Sequence, residues 1–99
     1  MKLFAINCRD GEGSAELRQK YFAEHLANVE AAIDSIAVAG PLKEGEQTVG
    51  SLFIVKVENK AAARAIVEAD PYFAAGVWRA IEVDEFLGVA GDWVGGKTW

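Results

Sequence analysis

Thr48-Val49-Gly50-Ser51-Leu52-Phe53-Ile54-Val55-Lys56-Val57-Glu58 is the stretch on which the fold turns. Its centre, Leu52 to Val55, places apolar side chains on both pleat faces, as a strand inside a sheet does and a half-wet edge strand does not. Such a strand needs neighbours on either side. Upstream, Lys43-Glu44-Gly45-Glu46-Gln47 is polar enough for a hairpin loop, and before it Ile36 to Ala39 is a short apolar run stopped by Gly40-Pro41. Downstream, Asn59 caps a helix over Lys60 to Ala69, whose five alanines favour helix and permit close packing on a sheet. Val77 to Phe86 then reads as the last strand, nearer an edge because Arg79, Glu82 and Asp84 interrupt its apolar residues. At the N-terminus, Leu3 to Cys8 reads as a strand closed by the loop Arg9-Asp10-Gly11-Glu12-Gly13. Ser14 offers an N-cap and Glu16 an anion in the first turn, opening one long helix to about Ile33 with Phe22, Leu26, Val29 and Ile33 as its buried stripe.

The order strand, helix, strand, strand, helix, strand predicts an α+β, ferredoxin-like βαββαβ sandwich: an antiparallel sheet with both helices on one face. That arrangement leaves the second sheet face bare, while Leu52-Phe53-Ile54-Val55 supplies apolar groups to both. A second copy is the economical cover. The expectation is a homodimer packed sheet to sheet, with residues 1–88 as a single domain and residues 89–99 as a C-terminal tail whose Trp93, Val94 and Trp99 contact the partner. Gly91, Gly95 and Gly96 leave a disordered tail as the alternative.

Composition narrows the function classes. With 52% hydrophobic residues, the 99-residue chain holds enough apolar material for one core. Fifteen acidic against ten basic residues give a net charge of −5, without a Lys/Arg cluster to neutralise phosphates, so nucleic acid is not an expected partner. No apolar run approaches the roughly eighteen residues of a membrane span, and the N-terminal run is too short for a signal peptide, so no membrane partner and a cytoplasmic location are expected. The single cysteine, Cys8, rules out an internal disulfide and cannot alone build a zinc site; it reads as a buried strand thiol, with a reactive thiol as the alternative. No metal-ligand cluster or phosphate loop is present, Gly11-Glu12-Gly13 lacking the downstream glycine and lysine, and no cofactor is expected.

Two residues stand out as chemistry-bearing. His25, the only histidine, lies about sixty degrees from the centre of the helical stripe, at the rim where a cleft between helix and sheet would open. There it is either a proton-transfer group or a capped edge of the core. Asp70 stands at the wrong end of a helix dipole, before a proline that disfavours helix at the preceding residue. An N-cap for a further turn, Pro71 to Ala75 closed by Gly76, explains it without chemistry and leaves its second carboxylate oxygen free.

His25-Leu26, Ala39-Gly40-Pro41, Gly50-Ser51 and above all Ala69-Asp70-Pro71-Tyr72-Phe73-Ala74-Ala75-Gly76-Val77 resemble the successive signature blocks of the YciI-like (YCII-related) family, in the family's order over about residues 1–88. The resemblance implies a dimeric α+β barrel of ferredoxin-like domains and an active site built from the family's histidine and aspartate, which fall on His25 and Asp70. It points toward proton-shuttling lyase or isomerase chemistry on small, often cyclic or aromatic, acids. Where family members often carry an arginine three residues before the histidine, this chain has Phe22; Arg18, one turn further back, is the nearest cation to take its place.

Two functions compete. In the first, His25 is a general acid/base, Asp70 orients it, Ser51 and the backbone around Gly40 and Pro41 supply hydrogen bonds, Arg18 offers charge to a small-molecule ligand, and Tyr72, Phe73 and Trp78 form an apolar wall. In the second, the chain is a non-catalytic dimeric metabolite-binding or accessory module. Haem or metal ligation by His25 is a third and weaker reading, since the pocket would need more unbroken apolar volume.

Overall fold

The computed structural model describes all of residues 1–99. Strands β1 (Lys2–Asp10), β2 (Ile36–Glu44), β3 (Gln47–Val57) and β4 (Trp78–Phe86) form one antiparallel sheet in the order β2-β3-β1-β4. β3 is therefore interior and β4 an edge, as the sequence predicts. Period-two alternation sends Phe4, Ile6, Cys8, Phe53, Val55 and Val83 to one face, where all six are buried. The helices cover that face. Helix α3 (Lys60–Glu68) contributes Ala63 and Val67, one turn apart and both fully buried, and Asn59 caps it by accepting from the Ala62 amide at 2.8 Å. Helix α4 (Pro71–Ala75) adds Tyr72 and ends at Gly76, whose φ of 81° is the left-handed region glycine enters freely. The fold is the ferredoxin-like α+β sandwich, with no helix long and apolar enough to cross a membrane.

Four local expectations are corrected. The long first helix is two, α1 (Ser14–Lys20) and α2 (Phe22–Ala31), broken at Tyr21 and followed by a short turn of tighter helix over Ile33–Ser35. The cause is a side chain from elsewhere: the Arg18 carbonyl, which in an unbroken helix accepts from the Phe22 amide, accepts instead from the Tyr72 hydroxyl at 2.9 Å. The predicted stripe is also rotated, since Phe22, Leu26 and Ile33 are half-exposed while Tyr21, His25, Asn28 and Val29 turn inward. Helix α2 packs on α4, and polar bonds to that helix set its phase over hydrophobic periodicity.

Ser14 does not cap α1. Gly13 occupies that position, while the buried Ser14 hydroxyl accepts from the Gly11 amide and donates to the carbonyls of Gly11 and Val77, tying the β1–α1 loop to the start of β4. Nor does β2 stop at Gly40-Pro41; it continues to Glu44 and turns at Gly45-Glu46. β2 is the outer strand, so Pro41 can face its missing amide away from the ladder. The tail forms a small hairpin of β5 (Ala90–Gly91) and β6 (Gly96–Lys97), and Trp93 and Trp99 on it are 86% and 76% exposed.

Candidate active site

The Asp70-Pro71 junction assembles the site. Pro71 starts α4 and Asp70 precedes it in extended conformation, so the carboxylate reaches forward: Oδ1 accepts from the Tyr72 amide at 2.8 Å and caps the helix. The second oxygen reaches across to α2. Oδ2 lies 2.7 Å from His25 Nδ1 and accepts a longer bond, 3.5 Å, from Asn28 Nδ2, one turn beyond His25. The Asp70 side chain is 1% exposed and that of His25 14%, so the pair sits largely out of water. A buried carboxylate favours a proton on the nitrogen facing it, which leaves Nε2 as the free nitrogen of the ring.

Tyr72 fixes the ring from below. Its aromatic plane stacks on the imidazole with centroids 4.0 Å apart and planes 6° from parallel, while Trp78 meets Tyr72 edge-on and Phe53 meets Trp78 edge-on. Burial pushes the Tyr72 hydroxyl's pKa above its usual value, so it stays a donor to the Arg18 carbonyl. Arg18 is gripped on its other side by Asp10, with Nε to Oδ2 and Nη2 to Oδ1 both at 2.8 Å, and Nη2 also donates to Ser51 Oγ at 2.9 Å. Its guanidinium carbon lies 5.2 Å from the Tyr72 ring centre.

These groups face a cleft of about 390 Å³ between α2 and the β2–β3 hairpin. Arg18, His25, Gly40, Pro41, Ser51 and Tyr72 all line it, bringing together six of the nine site residues expected from sequence. Asp70 stands behind His25 as its partner. Phe73 and Trp78 do not line the cleft: Phe73 is on the outside of α4, and Trp78 is buried beneath Tyr72. The apolar wall comes from Phe22, Leu26 and Val29 with Ala39 and Phe53. Three of these were visible in the sequence as a helical stripe, which fits a cleft wall as well as a core. Asn28 was missed from the sequence, although its place three residues after His25 on a helix was the signal that could have found it, and nothing local marks Asp10 as the clamp on Arg18. Cys8 takes no part; burial, reinforced by the charge of Asp70, pushes its thiol up to about 12.

The chain is thus a ferredoxin-like α+β domain carrying a buried carboxylate–imidazole pair at the wall of a small cleft. It belongs to the YCII-related family, whose model matches residues 2–87. Protein YciI of Escherichia coli O6:H1 and that of Shigella flexneri are each 32% identical to it, over 85% of this chain and 95% of theirs. Among solved structures it is similar to 5-chloro-2-hydroxyhydroquinone dehydrochlorinase from Burkholderia phenoliruptrix, in complex with 2,5-dihydroxybenzoquinone. That match has a TM-score of 0.78 and 30% identity, over 91% of this chain and 96% of the other.

Proposed function

We propose that the cleft binds a small cyclic organic molecule and that His25 moves a proton to or from it, in an elimination or isomerisation. The observation that carries this reading is the 2.7 Å bond from His25 Nδ1 to the buried Asp70, which leaves the other ring nitrogen free at a cleft of ring-binding size. Asp70 is the positioning residue: it holds the tautomer and stabilises the imidazolium that forms when Nε2 takes a proton. Phe22, Leu26 and Val29 exclude water on one side. The likeness to a dehydrochlorinase supports ring substrates and loss of a proton with an anionic leaving group.

The test has two readouts, chloride release from 5-chloro-2-hydroxyhydroquinone and absorbance titration with 2,5-dihydroxybenzoquinone. The protein is expected to release chloride and bind the quinone, and His25→Gln to lose at least about a hundredfold in rate. Quinone binding without turnover of any hydroxylated chloroaromatic would replace the catalytic reading with a non-catalytic binding module. Absence of both would sink the ring-binding proposal.

The unit that works is, in this proposal, a homodimer packed through the helix-free sheet face. Leu3, Ala5, Leu52 and Ile54 lie on that face partly buried, with Phe86 exposed beside them. Light scattering is expected to give twice the 10.7 kDa of one chain; a monomer at high micromolar concentration would refute the dimer.

A further inference from the structure

We infer that Arg18 and Ser51 form an oxyanion site at the end of the cleft, the donor pair for the substrate oxygen that gains charge when His25 takes a proton. This rests on the acid/base reading of His25. Of the five guanidinium N–H groups of Arg18, the one on Nε and the two on Nη2 go to Asp10 and Ser51. The two on Nη1 have no partner in the protein. Ser51 is buried, receives the Arg18 bond on its oxygen, and gives its own proton to no protein acceptor. Both side chains line the same cleft as His25.

Two features make the pair a site and not a stray cation. Tyr72 stacks on His25 and bonds the Arg18 carbonyl, so one rigid residue fixes the spacing of base and cation. Asp10 offsets the Arg18 charge before substrate enters, so the guanidinium brings directed donors to the cleft with little net charge. That balance disfavours a phosphorylated ligand. It suits a neutral or singly charged ring that develops its anion during reaction, where donors already in place act most strongly. In the step itself, the substrate proton passes to His25 Nε2. The electron pair left behind moves onto a conjugated carbonyl oxygen held by Arg18 Nη1 and Ser51 Oγ, then returns to expel the leaving group or to take the proton back at another carbon.

The pair is tested by the affinity of 2,5-dihydroxybenzoquinone and by the pH at which the bound quinone takes up a proton, read from its absorbance. Wild type is expected to keep the quinone ionised to lower pH than free solution does. Arg18→Met is expected to weaken binding about thirtyfold and Ser51→Ala about fivefold, with Arg18→Lys in between and the protonation pH moving back toward that of the free quinone. Because Arg18→Met leaves Asp10 unpaired, the double variant Asp10→Asn/Arg18→Met is measured beside it, with thermal melts to establish folding. His25→Gln is expected to lose turnover while holding the quinone within about threefold of wild type. Wild-type affinity and an unmoved protonation pH in a folded Arg18 variant would overturn the oxyanion site, with chloride release by wild type leaving the His25 reading intact. Failure of wild type both to bind quinone and to release chloride would overturn both.

Discussion

The two faces of the sheet are finished to different degrees. On the helix side, Asp10, Arg18, His25, Ser51, Asp70 and Tyr72 are tied into one hydrogen-bonded and stacked cluster from five elements and the loop before α4. On the other face Leu52 and Ile54 lie half-covered by neighbouring side chains. An exposed tail follows the edge strand β4. The difference teaches which properties belong to one chain. The buried polar cluster and most of the core lie on the helix side, whereas the open face keeps apolar side chains only half-covered.

The largest effect is expected from cutting the joint of the finished side. Asp70→Ala removes the cap of α4, at about 1 kcal/mol, and leaves the buried Tyr72 amide and the His25 ring without their acceptor, at about 1–3 kcal/mol more. Urea unfolding is expected to show a loss near 3 kcal/mol, out of a total typically about 5–15, together with loss of turnover. Asp70→Asn keeps a capping oxygen and is expected to recover most of the stability but not the rate. If Asp70→Asn were fully active, the carboxylate would be a cap and nothing more.

Ile54→Lys probes the other face. Ile54 points away from the helices and is half-buried, so within one chain the change is expected to cost about 1 kcal/mol or less. In a sheet-to-sheet dimer it sets lysines into an apolar contact, and sedimentation is expected to show monomers at concentrations where wild type is dimeric. An unchanged dimer would move the interface elsewhere. Binding of small molecules in the cleft, on the opposite side of β3, is expected to persist.

How much of this was legible in the sequence follows the same division between local and distant causes. The interior position of β3, the Asn59 cap and the Asp70-Pro71…Gly76 turn each follow from rules acting within a few residues, and each is present. The pairing of His25 with Asp70 spans 45 residues; resemblance suggested it where spacing could not. What failed was set from afar. The break at Tyr21 comes from a hydroxyl 54 residues beyond Arg18, and the run of β2 through Gly40-Pro41 depends on that strand being outermost. No window of sequence contains those facts.

Alkaline pH weakens the helix side by a calculable route. Cys8 is buried under the helices with its pKa pushed up from 9.0 to about 12, and Tyr72 is shifted upward as well. Above about pH 9 the unfolded chain releases the thiol proton while the folded chain keeps it, so the unfolded state binds fewer protons and stability falls as pH rises. The Cys8 contribution is full below about pH 9 and lost through about pH 12, at no more than about 1.4 kcal/mol per pH unit. Cys8→Ala is expected to start slightly less stable at pH 8, because of the cavity, and to decline less steeply toward pH 11. Parallel curves would show that the thiol does not govern the alkaline limb.

The smallest effect is expected from removing the tail, and its size depends on the number of copies. Trp93 and Trp99 are exposed, and the only ladder in the segment pairs Ala90 with Lys97 and Gly91 with Gly96, too short to stand alone in water. Deleting residues 89–99 is therefore expected to change the stability of one chain by less than about 0.5 kcal/mol, because it uncovers almost no core. In a dimer the same residues gain a surface to pack on, and the deletion is expected to raise the dissociation constant about tenfold. Iodide quenching separates the cases without mutation. Buried Trp78 stays dark to quencher in either state, while Trp93 and Trp99 are quenched in the monomer and protected in the dimer. Full quenching of both in a dimeric sample would leave the sheet face as the whole interface and the tail as a free arm.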